Sequence, residues 1–70
     1  GVLAGFSDLI IIAPKNVLFV EVKTEEGRQS ENQAVFQKNV EQLGFQYSIC
    51  RSLEEFILII EKWLKDKFSV

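Results

Sequence analysis

The chain has 70 residues, 47% of them hydrophobic and 26% charged, with a formal net charge of −2, one cysteine and no histidine. That length holds one small domain, burying only about 60% of the surface its unfolded chain exposes, so its core alone leaves it marginal. A lone Cys50 excludes an internal disulfide and any cysteine-rich metal site, and the lack of histidine excludes Ser-His-Asp triads, histidine general bases and histidine-ligated zinc.

The apolar content is too high, and the charge too balanced, for a disordered chain. No basic segment followed by an apolar core and a small-residue cleavage site marks a signal peptide. The apolar run Leu9 to Pro14 is far short of the roughly 20 residues of a membrane span. These features, with a single thiol, set the expectation of a cytoplasmic protein without a membrane segment. Gly1 to Gly5 stands almost directly before a strand, so sequence upstream of Gly1 is expected.

Asp8 to Ala13 is short, apolar and rich in β-branched residues, which predicts a strand. Pro14, Lys15 and Asn16 signal a turn: Pro presets φ, and Asn tolerates the left-handed region. Val17 to Lys23 predicts a second strand, antiparallel to the first. Both strands are apolar on both faces, so a hairpin covered on both sides is expected. Thr24 to Gln29 is a polar loop. Ser30 and Gln33 have capping-box spacing, predicting a helix from Glu31 to about Leu43, with Phe36, Val40 and Leu43 on one face. Gly44 sits where a glycine would end that helix. Phe45 to Cys50 alternates and predicts a third strand. Ser52 and Glu55 form a second capping-box pattern before a last helix reaching about Asp66.

The order is β-β-α-β-α. A helical crossover between the second and third strands makes them parallel. The expected fold is therefore α/β, with a small mixed sheet: an antiparallel hairpin plus a parallel third strand. On the last helix, Leu53, Phe56, Ile57, Ile60, Trp63 and Leu64 share a face at about 100° per residue. Leu58 points away from it and Ile59 lies to one side. Scattered exposed apolar residues are normal, but in a chain this small a second apolar contact surface is read there, for a homodimer or for an absent domain.

The charged residues with most meaning are Asp8, at the head of strand one, and Glu21 and Lys23, at the tail of strand two. An antiparallel hairpin brings these ends together. Alternation puts Glu21 and Lys23 on one face, with Val22 opposite. Register decides whether Asp8 joins them. If opposed positions sum to an odd number, as with a two- or four-residue loop, Asp8 shares the face of Glu21; a three-residue loop puts it opposite Val22. Two adjacent carboxylates repel unless a divalent cation lies between them, and Mg²⁺ accepts one or two carboxylates with water and phosphate oxygens. The Val22 carbonyl can complete such a set. A lysine beside the ion can act on water or on phosphate charge. The competing reading is a solvated ion pair at a strand end.

Four ordered motifs go further: Gly5-Phe6-Ser7-Asp8-Leu9, Val17 to Thr24, Gly27-Arg28-Gln29-Ser30-Glu31-Asn32-Gln33, and Gly44-Phe45. Together they resemble the VRR-NUC domain, a branch of the PD-(D/E)XK nuclease superfamily, from Gly5 to about Glu55. The resemblance implies a nuclease-like core of the same ββαβ order and a single nuclease domain over residues 1–70. It implies Mg²⁺ or Mn²⁺ held by Asp8 and Glu21 with the Val22 carbonyl, and Lys23 acting on the water or the phosphate. Gln33 matches the family's glutamine at the start of the following helix, although a capping box alone would also select it. Arg28 and Arg51 are candidates for phosphate contact, each equally readable as a solvated surface arginine. Ser7 replaces the family's proline before the first aspartate. The family's helix upstream of the glycine-rich stretch has no counterpart after Gly1: it lies upstream, or a partner supplies it, or the metal site is incomplete.

The resulting expectation is a metal-dependent deoxyribonuclease that leaves a 5′-phosphate. Small members of the family pair as dimers and act on branched or flapped DNA. The rival is a non-catalytic dimerisation or interaction module on a nuclease-like fold, favoured by the net negative charge, because counterion release needs clustered Lys and Arg. An RNA substrate and the choice between end-wise and internal cutting stay open.

Overall fold

The computed structural model describes residues 8–68. The elements run β1 (Leu9–Ala13), β2 (Asn16–Val22), α1 (Glu31–Gln42), β3 (Gln46–Cys50) and α2 (Leu53–Phe68). The sheet order is β1-β2-β3, with β1 antiparallel and β3 parallel to the central β2. This is the expected small α/β fold with a mixed sheet, a nuclease-like core in β-β-α-β-α order. Gly5, Phe6 and Ser7, which open the first motif, lie outside the described residues.

The hairpin turns on two residues. Ala13 pairs with Asn16, leaving Pro14 and Lys15 between the strands. Pro fixes its own φ near −65°, and Lys15 takes φ 61°. A proline followed by a residue of positive φ is the φ pattern of a type II turn, where Gly or Asn is usual at the second position. The left-handed residue is thus Lys15 and not Asn16. Asn16 instead begins β2 and donates from Nδ2 to the Pro14 carbonyl at 2.9 Å. Leu9 faces Val20 in the resulting register, so opposed positions sum to 29, the odd case.

Alternation along β2 serves two cores. Leu18 and Val20 point to one face, where they pack with Cys50 and Trp63 and with Ile11, Ala13, Phe56, Ile59 and Ile60 around them. Phe19 points to the other, edge-on to Phe36 of α1 at 5.6 Å and to Phe45 at 6.1 Å between ring centroids. Phe36 in turn meets Tyr47 at 6.2 Å. Each fully buried large apolar side chain contributes about 1.5–3 kcal/mol relative to exposure.

Three expectations about packing are corrected. The hairpin is covered on both sides along β2 but not along β1, whose Ile10 and Ile12, on the Phe19 face, are 40% and 77% exposed. The core stripe of α2 is Phe56, Ile59, Ile60 and Trp63, while Leu53, Ile57 and Leu64 are exposed. Ile59 therefore belongs to the core, and Leu58, 65% exposed, does not. Leu43 caps α1 and is exposed as well. Gly44 at φ 91° turns the chain, with its N–H on Glu41 O at 3.0 Å and the Phe45 N–H on Val40 O at 3.0 Å. This is a Schellman closure, and it sends Phe45, not Leu43, back toward Phe19.

The first capping box is complete. Ser30 Oγ accepts from the Gln33 N–H, and Gln33 Oε1 accepts from the Ser30 N–H. At α2 the Ser52 hydroxyl accepts from the Glu55 N–H, but Glu55 returns its carboxylate to the Arg51 N–H, one residue earlier than a capping box would.

Candidate active site

Extending the hairpin register by one residue sets Asp8 opposite Glu21, on the face that carries Lys23 and Tyr47. The tail of β2, the loop after it and the start of α1 then converge.

Glu21 is fully buried. A carboxylate out of water is costly unless donors replace its hydration. Two donors meet one oxygen: the Tyr47 hydroxyl lies 2.5 Å from Oε1, and Gln29 Nε2 lies 2.9 Å from it. The second oxygen, Oε2, is buried and accepts no hydrogen bond among the described residues. Its nearest charge is Lys23 Nζ at 3.4 Å, an ion pair without hydrogen-bond geometry. Lys23 Nζ spends a hydrogen bond on Gln33 Oε1 at 2.7 Å. The Tyr47 phenol is pushed well above its usual 10.0, first by burial, then by its hydrogen bond to Glu21 and that carboxylate's charge.

Asp8 is exposed, and its Oδ2 accepts from the Val22 N–H at 2.8 Å. The Lys23 N–H turns the other way, to Cys50 O at 2.9 Å. Val22 therefore presents its backbone polar groups to the β1 side, and its carbonyl faces the side of Asp8. Asp8 takes the place of the next ladder acceptor where β1 ends.

The loop between β2 and α1 is tied down. The Gly27 N–H donates to Thr24 O at 3.1 Å, and a Cβ at Gly27 would lie 2.9 Å from Thr24 Oγ1. Arg51 Nη1 reaches the carbonyls of Thr24 at 2.8 Å, Glu25 at 3.3 Å and Gly27 at 2.7 Å. Arg51 is thus a loop clamp through Nη1, whereas Arg28 is exposed on the loop. Cys50 sits in the opposite core, where burial, then the charges of Glu55 and Asp8, push its thiol up from 9.0.

The donor set suits a hard divalent cation. Among the described residues there is no group of three or more His, Cys, Asp or Glu side chains placed to hold a metal. Two carboxylates and a carbonyl are what Mg²⁺ takes when waters and phosphate oxygens complete its shell. The buried Oε2 of Glu21, without a hydrogen bond among the described residues and 3.4 Å from Lys23 Nζ, is the Glu21 atom that could meet such an ion.

The structure brings together Glu21, Lys23 and Gln33 in direct contact, with Asp8 bonded to the neighbouring Val22. It adds residues the sequence did not single out for a role: Gln29, Tyr47 and Gln37, whose Oε1 accepts from Gln29 Nε2 at 2.9 Å. Tyr47 reads as an apolar strand residue by alternation. The usable signal was that a buried Tyr hydroxyl needs a partner and a buried Glu needs donors.

A family model described as the VRR-NUC domain matches residues 1–54. No curated protein and no solved structure matches the chain. The matched span includes Asp8, Glu21, Lys23 and Gln33, and the chain belongs to the VRR-NUC family of nuclease-type domains.

Proposed function

We propose that the chain is a Mg²⁺- or Mn²⁺-dependent deoxyribonuclease acting on branched or flapped DNA. The observation that carries this reading is the fully buried Glu21, with two hydrogen bonds on one oxygen and, among the described residues, none on the other, which pairs only with the Lys23 charge. Asp8, Glu21 Oε2 and the Val22 carbonyl are the groups that would hold the cation. When bound, the ion polarises the scissile phosphate and acidifies a water.

The chain's own residues supply the rest. Lys23 Nζ, steadied by Gln33 Oε1 at 2.7 Å, is positioned to orient the attacking water or to offset charge growing on the phosphate. Glu21 keeps Lys23 close to the carboxylates, and the α1 N-terminus fixes Gln33. Arg28, exposed beside the site, is the proposed phosphate contact. Arg51 joins that role only through groups other than Nη1. A second copy of the chain is the proposed partner for the outer side of α2, where Leu58 is exposed. The cytoplasm remains the proposed location; among the described residues no helix is long and apolar enough to cross a membrane.

The test is cleavage of flapped, four-way and linear DNA by the protein and by Asp8→Ala and Lys23→Ala, in Mg²⁺, Mn²⁺ and EDTA. The reading expects cation-dependent cutting, fastest on branched DNA and lost in both variants. Activity surviving in both variants refutes the site. No cutting with any cation favours a non-catalytic interaction module.

A further inference from the structure

We infer that Tyr47 and Gln29 are positioning residues that occupy Oε1 of Glu21 and so reserve Oε2 as the single oxygen through which Glu21 meets a divalent cation. The inference rests on the cation-site reading above and says how this chain tunes that site.

The two oxygens of Glu21 are treated unequally. A carboxylate offers about four acceptor positions over its two oxygens. Oε1 takes a short bond from the Tyr47 hydroxyl, at 2.5 Å, and a second from Gln29 Nε2, at 2.9 Å. Oε2 takes none among the described residues, with Lys23 Nζ 3.4 Å away as an ion pair, although it too is buried. Bonds from neutral donors to a carboxylate are roughly twice as strong as neutral pairs, so releasing Oε1 is costly.

Both donors are themselves fixed. The Tyr47 ring is buried edge-on against Phe36. The amide group of Gln29 has two hydrogens, one directed at Glu21 and the other at Gln37 Oε1, 2.9 Å away on α1. Gln37 in turn donates from Nε2 to Glu41 Oε2 at 3.3 Å. This line along α1 presents the NH₂ end of Gln29, not its carbonyl, to Glu21.

The consequence concerns which cation fits. With Oε1 taken, Glu21 can bind an ion through one oxygen only. Ca²⁺ takes carboxylates through one oxygen or both in a loose shell of six to eight oxygens, and loses the two-oxygen option here, whereas Mg²⁺ demands near-octahedral geometry that one oxygen per carboxylate satisfies. Tyr47 and Gln29 therefore bias the site toward Mg²⁺ and Mn²⁺ and against Ca²⁺.

The test is Mn²⁺ binding to the full chain, measured by electron paramagnetic resonance without DNA, with Ca²⁺ as competitor. The proteins are wild type, Tyr47→Phe, Gln29→Ala, Glu21→Gln and Val40→Ala, the last a core change outside the site. Loss of such an outer partner costs about 10–100-fold in metal affinity. Tyr47→Phe and Gln29→Ala should therefore weaken Mn²⁺ at least tenfold and move the Mn²⁺/Ca²⁺ affinity ratio toward Ca²⁺. Val40→Ala should leave that ratio unchanged even where its melting temperature falls. Wild-type affinity and ratio in both Tyr47→Phe and Gln29→Ala overturn the positioning role while leaving the cation site standing. Equal Mn²⁺ binding by wild type and Glu21→Gln, or none by wild type, overturns the cation-site reading itself.

Discussion

Lys23 and Gln33 are joined by one oxygen with two duties. Gln33 Oε1 accepts from Lys23 Nζ at 2.7 Å and from the Ser30 N–H at 3.0 Å. The tail of β2 is thereby tied to the first turn of α1, and the cap that starts the helix also holds the lysine. Two substitutions separate the duties. Gln33→Ala removes both, and should cost about 1 kcal/mol of stability, the scale of a lost cap. In a domain this small that is a melting shift of roughly 4–8 °C. Gln33→Glu keeps the capping box, where Glu serves as well as Gln, so it should melt within a few degrees of wild type. Its added carboxylate draws Lys23 away from phosphate and should slow cleavage about tenfold. Wild-type cleavage in both variants would confine Gln33 to capping.

Asp8 gives a cleaner separation of chemistry from folding. It is exposed, and its structural duty is one bond from the Val22 N–H. Asn can accept that bond, so Asp8→Asn should unfold within about 0.5 kcal/mol of wild type. Removing its charge from the proposed cation site should still lower kcat by about 100-fold. Chemical denaturation and single-turnover cleavage on one preparation check both halves. A large fall in stability would mean that Asp8 is chiefly a hairpin residue.

Arg51 holds the loop before α1 through three backbone carbonyls. Arg51→Ala should free that loop, and trypsin should cut after Arg28 several times faster. Arg51→Lys should restore little, because a lysine cannot reproduce the planar fork. If trypsin resistance stays at the wild-type level while DNA affinity drops, Arg51 serves phosphate and not the loop.

The buried acids set an alkaline limit. The thiol of Cys50 and the phenol of Tyr47 are both pushed up, chiefly by burial, from 9.0 and 10.0. The folded protein keeps these protons after the unfolded chain has begun to shed them. By linkage, their contribution is fully present below about pH 9 and is lost as pH rises through the unfolded and then the folded values. Melting temperature should fall from about pH 9 upward, and Cys50→Ser with Tyr47→Phe should flatten that fall. Cys50 should also resist alkylation at pH 8 until the protein is unfolded.

Much of this was legible in the residues. The Pro14-Lys15 turn left register parity open, and its two-residue length is what set Asp8 across from Glu21. The Ser30–Gln33 spacing announced the cap that also steadies Lys23. The misread parts share a cause. Along α2 apolar residues form a belt wider than one face, so periodicity alone could not choose between Leu53, Ile57 and Leu64 and the stripe through Ile59. The sheet chose, through Trp63 and Ile60. Likewise, Tyr47 and Gln29 lie 26 and 8 residues from Glu21. Their pairing with it depends on β3 lying beside β2 and on the path of the loop, which local spacing does not encode.

The dimer proposal has its own check. Leu58→Glu places a charge on the exposed outer side of α2 without touching the core stripe. Light scattering should report a dimer for wild type and a monomer for this variant, with near-UV spectra alike. A monomeric wild type at high micromolar concentration would end the idea.

Single-turnover cleavage of a flapped DNA by wild type and Glu21→Gln, in Mg²⁺ and in EDTA, decides whether Glu21 serves a cation. Glu21→Gln keeps an oxygen for Tyr47 and Gln29 but puts an amide nitrogen in the place of Oε2, beside Lys23. The account predicts cutting by wild type in Mg²⁺ alone, and a loss of at least 100-fold in a folded Glu21→Gln. Equal rates for the two proteins, or cutting that persists in EDTA, would contradict it.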